Sequence, residues 1–225
     1  LVDQKFSITS VKTGERRKNP QPPFTTSNLQ QEAVRKLSFT TKKTMQIAQM
    51  LYEGVDIEGE GTVGLISYIR TDSTRLSDEA LTAARDYISA NFAPEYLPET
   101  PNIYKGRKNA QDAHEAIRPT HALFSPEKVK ASLTRDQYRL YKLIYDRYLA
   151  SQMTPAVYDT LAVELGSGEA QFRFGGMKKK FAGFTVLYEE SQDEPAEKES
   201  NLPKVQVGDQ VTMKELDAEQ HFTQP

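Results

Sequence analysis

The residues best suited to chemistry lie in GLISYIRTDST, 64–74, where a phenol and a guanidinium stand two apart in an otherwise apolar stretch. On a β-strand, positions i and i+2 point the same way, so Tyr68 and Arg70 would share a face with Ile66, leaving Leu65, Ser67 and Ile69 on the other. A phenol beside an arginine suits attack on a phosphodiester. The Tyr68 oxygen is the candidate nucleophile; Arg70 would bind the phosphate and stabilise the charge developing on its oxygens. A phenol of ordinary acidity is a weak nucleophile at neutral pH and needs a neighbouring cation or base. The competing reading is structural. The chain has 11 tyrosines, and most tyrosines in proteins are core or rim aromatics with the hydroxyl satisfied at the edge.

A second group lies in DAHEAIRPT, 112–120. If Asp112 caps a short helical turn, His114 and Arg118 fall four apart on one side, with Glu115 on an adjacent face. The imidazole could exchange a proton or hydrogen-bond a phosphate, and Arg118 could hold another. Pro119 disfavours helical geometry at Arg118, and a capped turn with a surface salt bridge is the alternative.

The composition narrows the partners. Cysteine is absent, which excludes a disulfide framework and a cysteine-ligated zinc site. Three separated histidines make an all-protein transition-metal site a poor expectation. No run approaches the roughly 20 apolar residues that span a bilayer, and no signal-peptide pattern opens the chain, so a cytoplasmic location is expected. Net charge is −2, but the segment EESQDEPAEKES, 189–200, alone contributes −5. The remainder is positive, with basic clusters at Arg16-Arg17-Lys18, Lys42-Lys43, Arg107-Lys108 and Lys178-Lys179-Lys180.

The elements that must position these residues are read from periodicity and caps. Residues 2–12 alternate as a strand ending at a Thr13-Gly14 turn, and a proline-rich loop follows at 19–24. Ser27 and Gln30 form a capping box for a helix with Leu29, Ala33, Val34 and Leu37 on one face. A second helix turns Thr44, Ile47, Ala48 and Leu51 inward, and GVDIEGEGTVG is a loop or tight turn. Ser77 caps a third helix with an apolar stripe of Leu81, Ala84 and Ile88. Pro126 begins a helical turn after Ser125. Thr134 and Gln137 box the longest helix, 135–152, with its stripe Tyr138, Tyr141, Ile144, Tyr145, Tyr148 and Leu149. From Pro155 the period becomes alternating. VYDTLAVEL, EAQFRF, KKKFAGFTVLY, LPKVQV and DQVTMKEL read as strands, with turns at Gly166–Gly168, Gly175-Gly176 and Gly208-Asp209. The acidic 189–200 reads as a disordered link. This is an α+β pattern: a β domain from residues 1–27 and 154–225, with a mainly helical domain, 28–153, inserted into it.

GLISYIRTDSTRLS resembles the active-site segment of the type IA DNA topoisomerases, the bacterial ones most of all. PPFTTSNLQQEA, TKKTMQIAQMLYEG, DAHEAIRPT and the terminal QHFTQP extend the resemblance in the family's order. The resemblance implies that Tyr68 forms a 5′-phosphotyrosyl link to cleaved single-stranded DNA, that Arg70 positions the scissile phosphate and that His114 is the active-site histidine. Arg118, Glu115, Lys42, Lys43, Thr71 and Ser73 are taken with them as candidate contacts to DNA or phosphate. It further implies a winged-helix-like helical domain inserted in a discontinuous antiparallel β arch, and relaxation of negatively supercoiled DNA without ATP.

Family members also carry a Toprim domain whose acidic cluster binds Mg²⁺, and a basic or zinc-ribbon tail; neither is matched here. The chain, which opens on LVDQKFSITSV without a start methionine, is expected to be a central fragment, inactive alone, whose partners are the remaining domains. No cofactor is expected within it, Mg²⁺ entering through the missing domain. The rival is a non-catalytic single-stranded-DNA-binding or hinge module. A tyrosine recombinase fits less well, because there the tyrosine follows the histidine and arginine motifs, and here Tyr68 precedes His114 and Arg118.

Overall fold

A computed structural model describes residues 5–104, 114–189, 202–212 and 214–215. The chain divides into two compact units. One comprises residues 1–17, 157–181 and 194–225; the other comprises 18–156 and 182–193. The fold is α+β.

The first unit is built on a four-stranded sheet in the order β5-β4-β1-β6, with β1 at Lys5–Lys18, β4 at Ala156–Ser167, β5 at Ala170–Phe181 and β6 at Gln210–Thr212. β4 and β5 form a long antiparallel hairpin, and β1 pairs antiparallel with β6. The hairpin turns at Gly168, whose φ of 59° suits the first position of a two-residue loop. The core is small: Ile8, Leu161 and Val163, with Val11, Leu165, Leu202 and Val205 packed on it.

Three expectations fail in this unit. The strand does not turn at Thr13-Gly14 but runs on to Lys18. Gly175-Gly176 is not a turn either, because both glycines pair with Ala162 and Leu161 inside β5 and the ladder of the long β4 carries through them. LPKVQV, 202–207, forms no strand. Of the acidic 189–200 segment only Glu189 lies within the described residues.

In the second unit, α5 (Arg135–Ser151) is the hub against which α2 (Thr41–Glu53), α3 (Asp78–Asn91) and α4 (Pro126–Val129) pack. Its capping box of Thr134 and Gln137 is present as expected. Burying the tyrosine stripe requires partners for the hydroxyls. Tyr141 donates to the Phe124 carbonyl at 2.6 Å, Tyr145 to Ala122 at 2.5 Å and Tyr148 to Ala80 at 2.5 Å. Ser77 caps α3, and α2 buries Thr44, Ile47, Ala48 and Leu51.

The first helix departs from expectation. α1 (Thr26–Glu32) is capped by Thr25, whose hydroxyl accepts from the Asn28 N–H, rather than by Ser27. It then widens into a π-helical turn, Ala33–Leu37. That winding carries Val34 off the expected buried face, and it is 46% exposed. GVDIEGEGTVG forms a small hairpin of β2 (Val55–Ile57) and β3 (Gly61–Val63). After β5 the chain makes a 3₁₀ turn at Gly183–Val186, so KKKFAGFTVLY is strand only as far as Phe181. Tyr188 then buries its ring edge-on to Phe24 and donates to Glu32 at 2.5 Å.

Candidate active site

Three separated segments are woven together around residues 64–71. The central one is extended but makes only an isolated bridge, Ile66 to Pro119, rather than a regular strand. Around that bridge the hydrogen bonds are dense. The Ser67 N–H donates to the Arg118 carbonyl, Thr120 N–H to the Leu65 carbonyl, and the Thr120 hydroxyl to the Gly64 carbonyl. The Ser67 hydroxyl donates to the Ala116 carbonyl at 2.7 Å and accepts from the Arg118 N–H at 3.0 Å. On the far side Ile117 bridges to Phe24. Thr26 closes the weave: its hydroxyl accepts from the Thr71 N–H at 2.9 Å and reaches the Ile69 carbonyl at 2.8 Å. Buried backbone needs such partners. Here side chains of the PPFTTS and HEAIRPT motifs supply them, so the extended piece is held without a sheet.

This weave decides which side chains emerge. Leu65, Ile66 and Ile69 are buried, whereas Tyr68 is 38% exposed and Arg70 is exposed. The simple two-face alternation therefore fails at Ile66, which is covered by the 116–120 segment instead of sharing a surface with Tyr68. Tyr68 and Arg70 do emerge together. They line one cleft of about 510 Å³ with Thr26, Ser27, Thr71, Asp72 and His114. The Tyr68 and His114 rings lie 5.0 Å apart between centroids at 40°, a tilted stack. Arg70 has no hydrogen-bond or ion-pair partner among the described residues, which leaves its fork available for an anion.

The remaining candidates are placed differently. His114–Thr120 is extended, not helical, because its backbone is spent on Phe24, Leu65 and Ser67; the proposed Asp112 cap lies outside the described residues. Arg118 is engaged with Glu115 at 2.7 and 2.5 Å and with the Pro119 carbonyl at 2.9 Å. It lines a separate cavity of about 710 Å³ with Ser67, Asp86, Tyr87 and Tyr148, not the Tyr68 cleft. Burial pushes the Tyr148 phenol up to about 12, against the lowering effect of Arg118. Lys43 is paired with Asp136 at 2.6 Å, and that hydrogen bond holds the Asp136 carboxyl below its usual range. Lys42 is exposed on the same turn. Thr71 and Ser73 are nearly buried and cap the turn, accepting from the Ser73 and Arg75 N–H groups respectively. Of these two, only Thr71 reaches the cleft.

Sequence reasoning missed Thr26 and Ser27 as cleft residues, and it missed Tyr52, whose ring meets Tyr68 edge-to-face at 5.6 Å and 69°. The two hydroxyls lay in a quoted motif and could have been flagged. Tyr52 left no local signal. It meets Tyr68 only because the β2–β3 hairpin returns the chain beside the end of α2, with the Leu65 N–H donating to the Leu51 carbonyl at 2.7 Å.

An exposed tyrosine beside a free arginine and a histidine, on a helical unit spliced into a β unit, is the arrangement of a DNA strand-cleaving enzyme of the topoisomerase kind. The whole chain, residues 1–225, matches the family model described as DNA topoisomerase, and it belongs to that family, in its type IA division. Among solved structures it is similar to full-length topoisomerase I from Thermotoga maritima, with a TM-score of 0.78 and 37% sequence identity. The match covers 93% of this chain and 33% of that one, so the chain spans about a third of that protein's length. Among the described residues no helix is long and apolar enough to cross a membrane.

Proposed function

We propose that this chain is the tyrosine-bearing part of an enzyme that relaxes negatively supercoiled DNA, without ATP, by transient cleavage of one strand. The Tyr68 oxygen attacks a phosphorus of single-stranded DNA, the bond to the 3′ oxygen breaks, and a 5′-phosphotyrosyl link and a free 3′ hydroxyl result. The link conserves the diester bond energy, so resealing needs no nucleotide. Arg70 holds the scissile phosphate and offsets the charge gathering on its oxygens. His114 hydrogen-bonds the same phosphate from across the Tyr68 ring. The observation that carries this reading is the common cleft: Tyr68, Arg70 and His114, distant in sequence, line one opening.

Among the described residues no three acidic or imidazole side chains gather as a metal ion would need. No step here is therefore routed through a metal, and any Mg²⁺ requirement is assigned to acidic residues of another domain of the full enzyme. The cleft then supplies nucleophile and phosphate clamp, the other domain completes the site, and the isolated chain does not cleave.

An end-labelled single strand tests the polarity. When the full-length enzyme is denatured in mid-reaction, label on the 3′ side of the break should travel with protein and label on the 5′ side should be released. The opposite partition would indicate a 3′ link and reject the proposal.

A further inference from the structure

We infer that Tyr52 is a positioning residue for the reaction, holding the Tyr68 ring so that its oxygen faces the cleft; this rests on the reading of Tyr68 as nucleophile. The buried stripe of α2 ends at Leu51. Tyr52 lies outside it and is 39% exposed, so the fold gains little from the ring. Its one ring contact among the described residues is with Tyr68, edge-to-face with centroids 5.6 Å apart. His114 stacks on the same ring at 5.0 Å. An exposed tyrosine otherwise samples several rotamers, and a ring held between two others samples fewer.

The backbone makes the pairing rigid. The Leu51 carbonyl accepts from the Leu65 N–H at 2.7 Å, one residue before Tyr52. Gly64 passes so close that a Cβ there would sit 2.7 Å from the Tyr52 carbonyl oxygen. Both rings therefore ride on one tight junction, and Tyr52 cannot drift relative to the Tyr68 segment. The edge-to-face contact is a property of the ring, not the hydroxyl, so phenylalanine should serve. Holding the nucleophile near its attacking orientation raises the rate of the bound complex and leaves DNA affinity alone.

The test compares Tyr52→Phe and Tyr52→Leu in the full-length enzyme by single-turnover cleavage and oligonucleotide affinity. In parallel, the ring signals of Tyr68 are followed by NMR in the 225-residue chain. Tyr52→Leu should slow cleavage roughly three- to tenfold with unchanged affinity and melting temperature, and should shift the Tyr68 ring signals. Tyr52→Phe should restore both the rate and the signals. A Tyr52→Leu enzyme with the wild-type rate, a loss that phenylalanine does not rescue, or a rate loss without movement of the Tyr68 signals would each overturn the inference. Should Tyr68→Phe still form adduct, the reading of the site falls instead. The ring signals would still report whether Tyr52 orders its neighbour.

Discussion

His114 can serve the cleft in two ways, and its geometry favours one. Its ring stacks obliquely on the Tyr68 ring, and no hydrogen bond joins the two side chains among the described residues. A nitrogen free of the phenol is placed to contact the DNA phosphate rather than to take the phenolic proton. His114→Gln, which keeps a donor, should then retain most cleavage, and His114→Ala should lose roughly tenfold to a hundredfold, about 1–3 kcal/mol. Cleavage rates that fall equally in both variants and titrate with an imidazole-like pKa would assign proton transfer instead. Arg70 is exposed and unpaired among the described residues, so substitution should cost function and little stability. Lysine keeps the charge without the planar fork, so Arg70→Lys should cleave slowly and Arg70→Ala more slowly still. Equal rates in all three would make Arg70 a bystander.

At the scale of elements, the site depends on the junctions that hold an extended piece without a sheet. Thr26→Val removes the hydroxyl that serves Thr71 N–H and the Ile69 carbonyl. It should destabilise the chain by about 1–3 kcal/mol in urea denaturation. The tyrosine stripe of α5 and its surroundings give a pH signature. Burial raises Tyr104 and Tyr148 to about 12. A folded pKa above the unfolded value means that their contribution to stability is complete below about 10 and is lost as pH rises towards 12. Absorbance titration should accordingly show exposed tyrosines ionising first, and these two only as the fold melts. A single transition for all tyrosines near 10 would contradict the burial.

Which elements could be read in advance follows from where their hydrogen bonds lie. The inward faces of α2 and α3 and the Thr134–Gln137 box were readable because their partners lie within four residues. The extended state of 114–120 and the continuous β5 were not. Their partners are some 50 residues away at Ser67, or across a ladder that overrides two glycines. For the site, the emergence of Tyr68 and Arg70 was readable from the motif, but the buttress of Tyr52 and the diversion of Arg118 to Glu115 came only with the fold.

For the whole molecule, the charge pattern predicts how DNA is met. Net charge is −2, with an acidic segment set against scattered basic clusters. Some of those cations are already engaged, Lys43 with Asp136 and Lys180 with Glu15. The isolated chain should therefore bind single-stranded DNA weakly, with affinity falling steeply as salt rises, because the phosphate contacts that remain are displaced by counterions. Salt-independent binding, or a preference for one duplex sequence, would contradict a phosphate-tracking cleft. The same chain should form no covalent adduct with or without Mg²⁺.

The most direct test of the central claim is to trap the full-length enzyme on single-stranded oligonucleotide and locate the modified residue by peptide mass spectrometry. The account predicts one nucleotide-bearing peptide, from the segment GLISYIRTDST, with the modification on Tyr68 and none in Tyr68→Phe enzyme of undiminished stability. Adduct on any other residue, or adduct persisting in Tyr68→Phe, would contradict it.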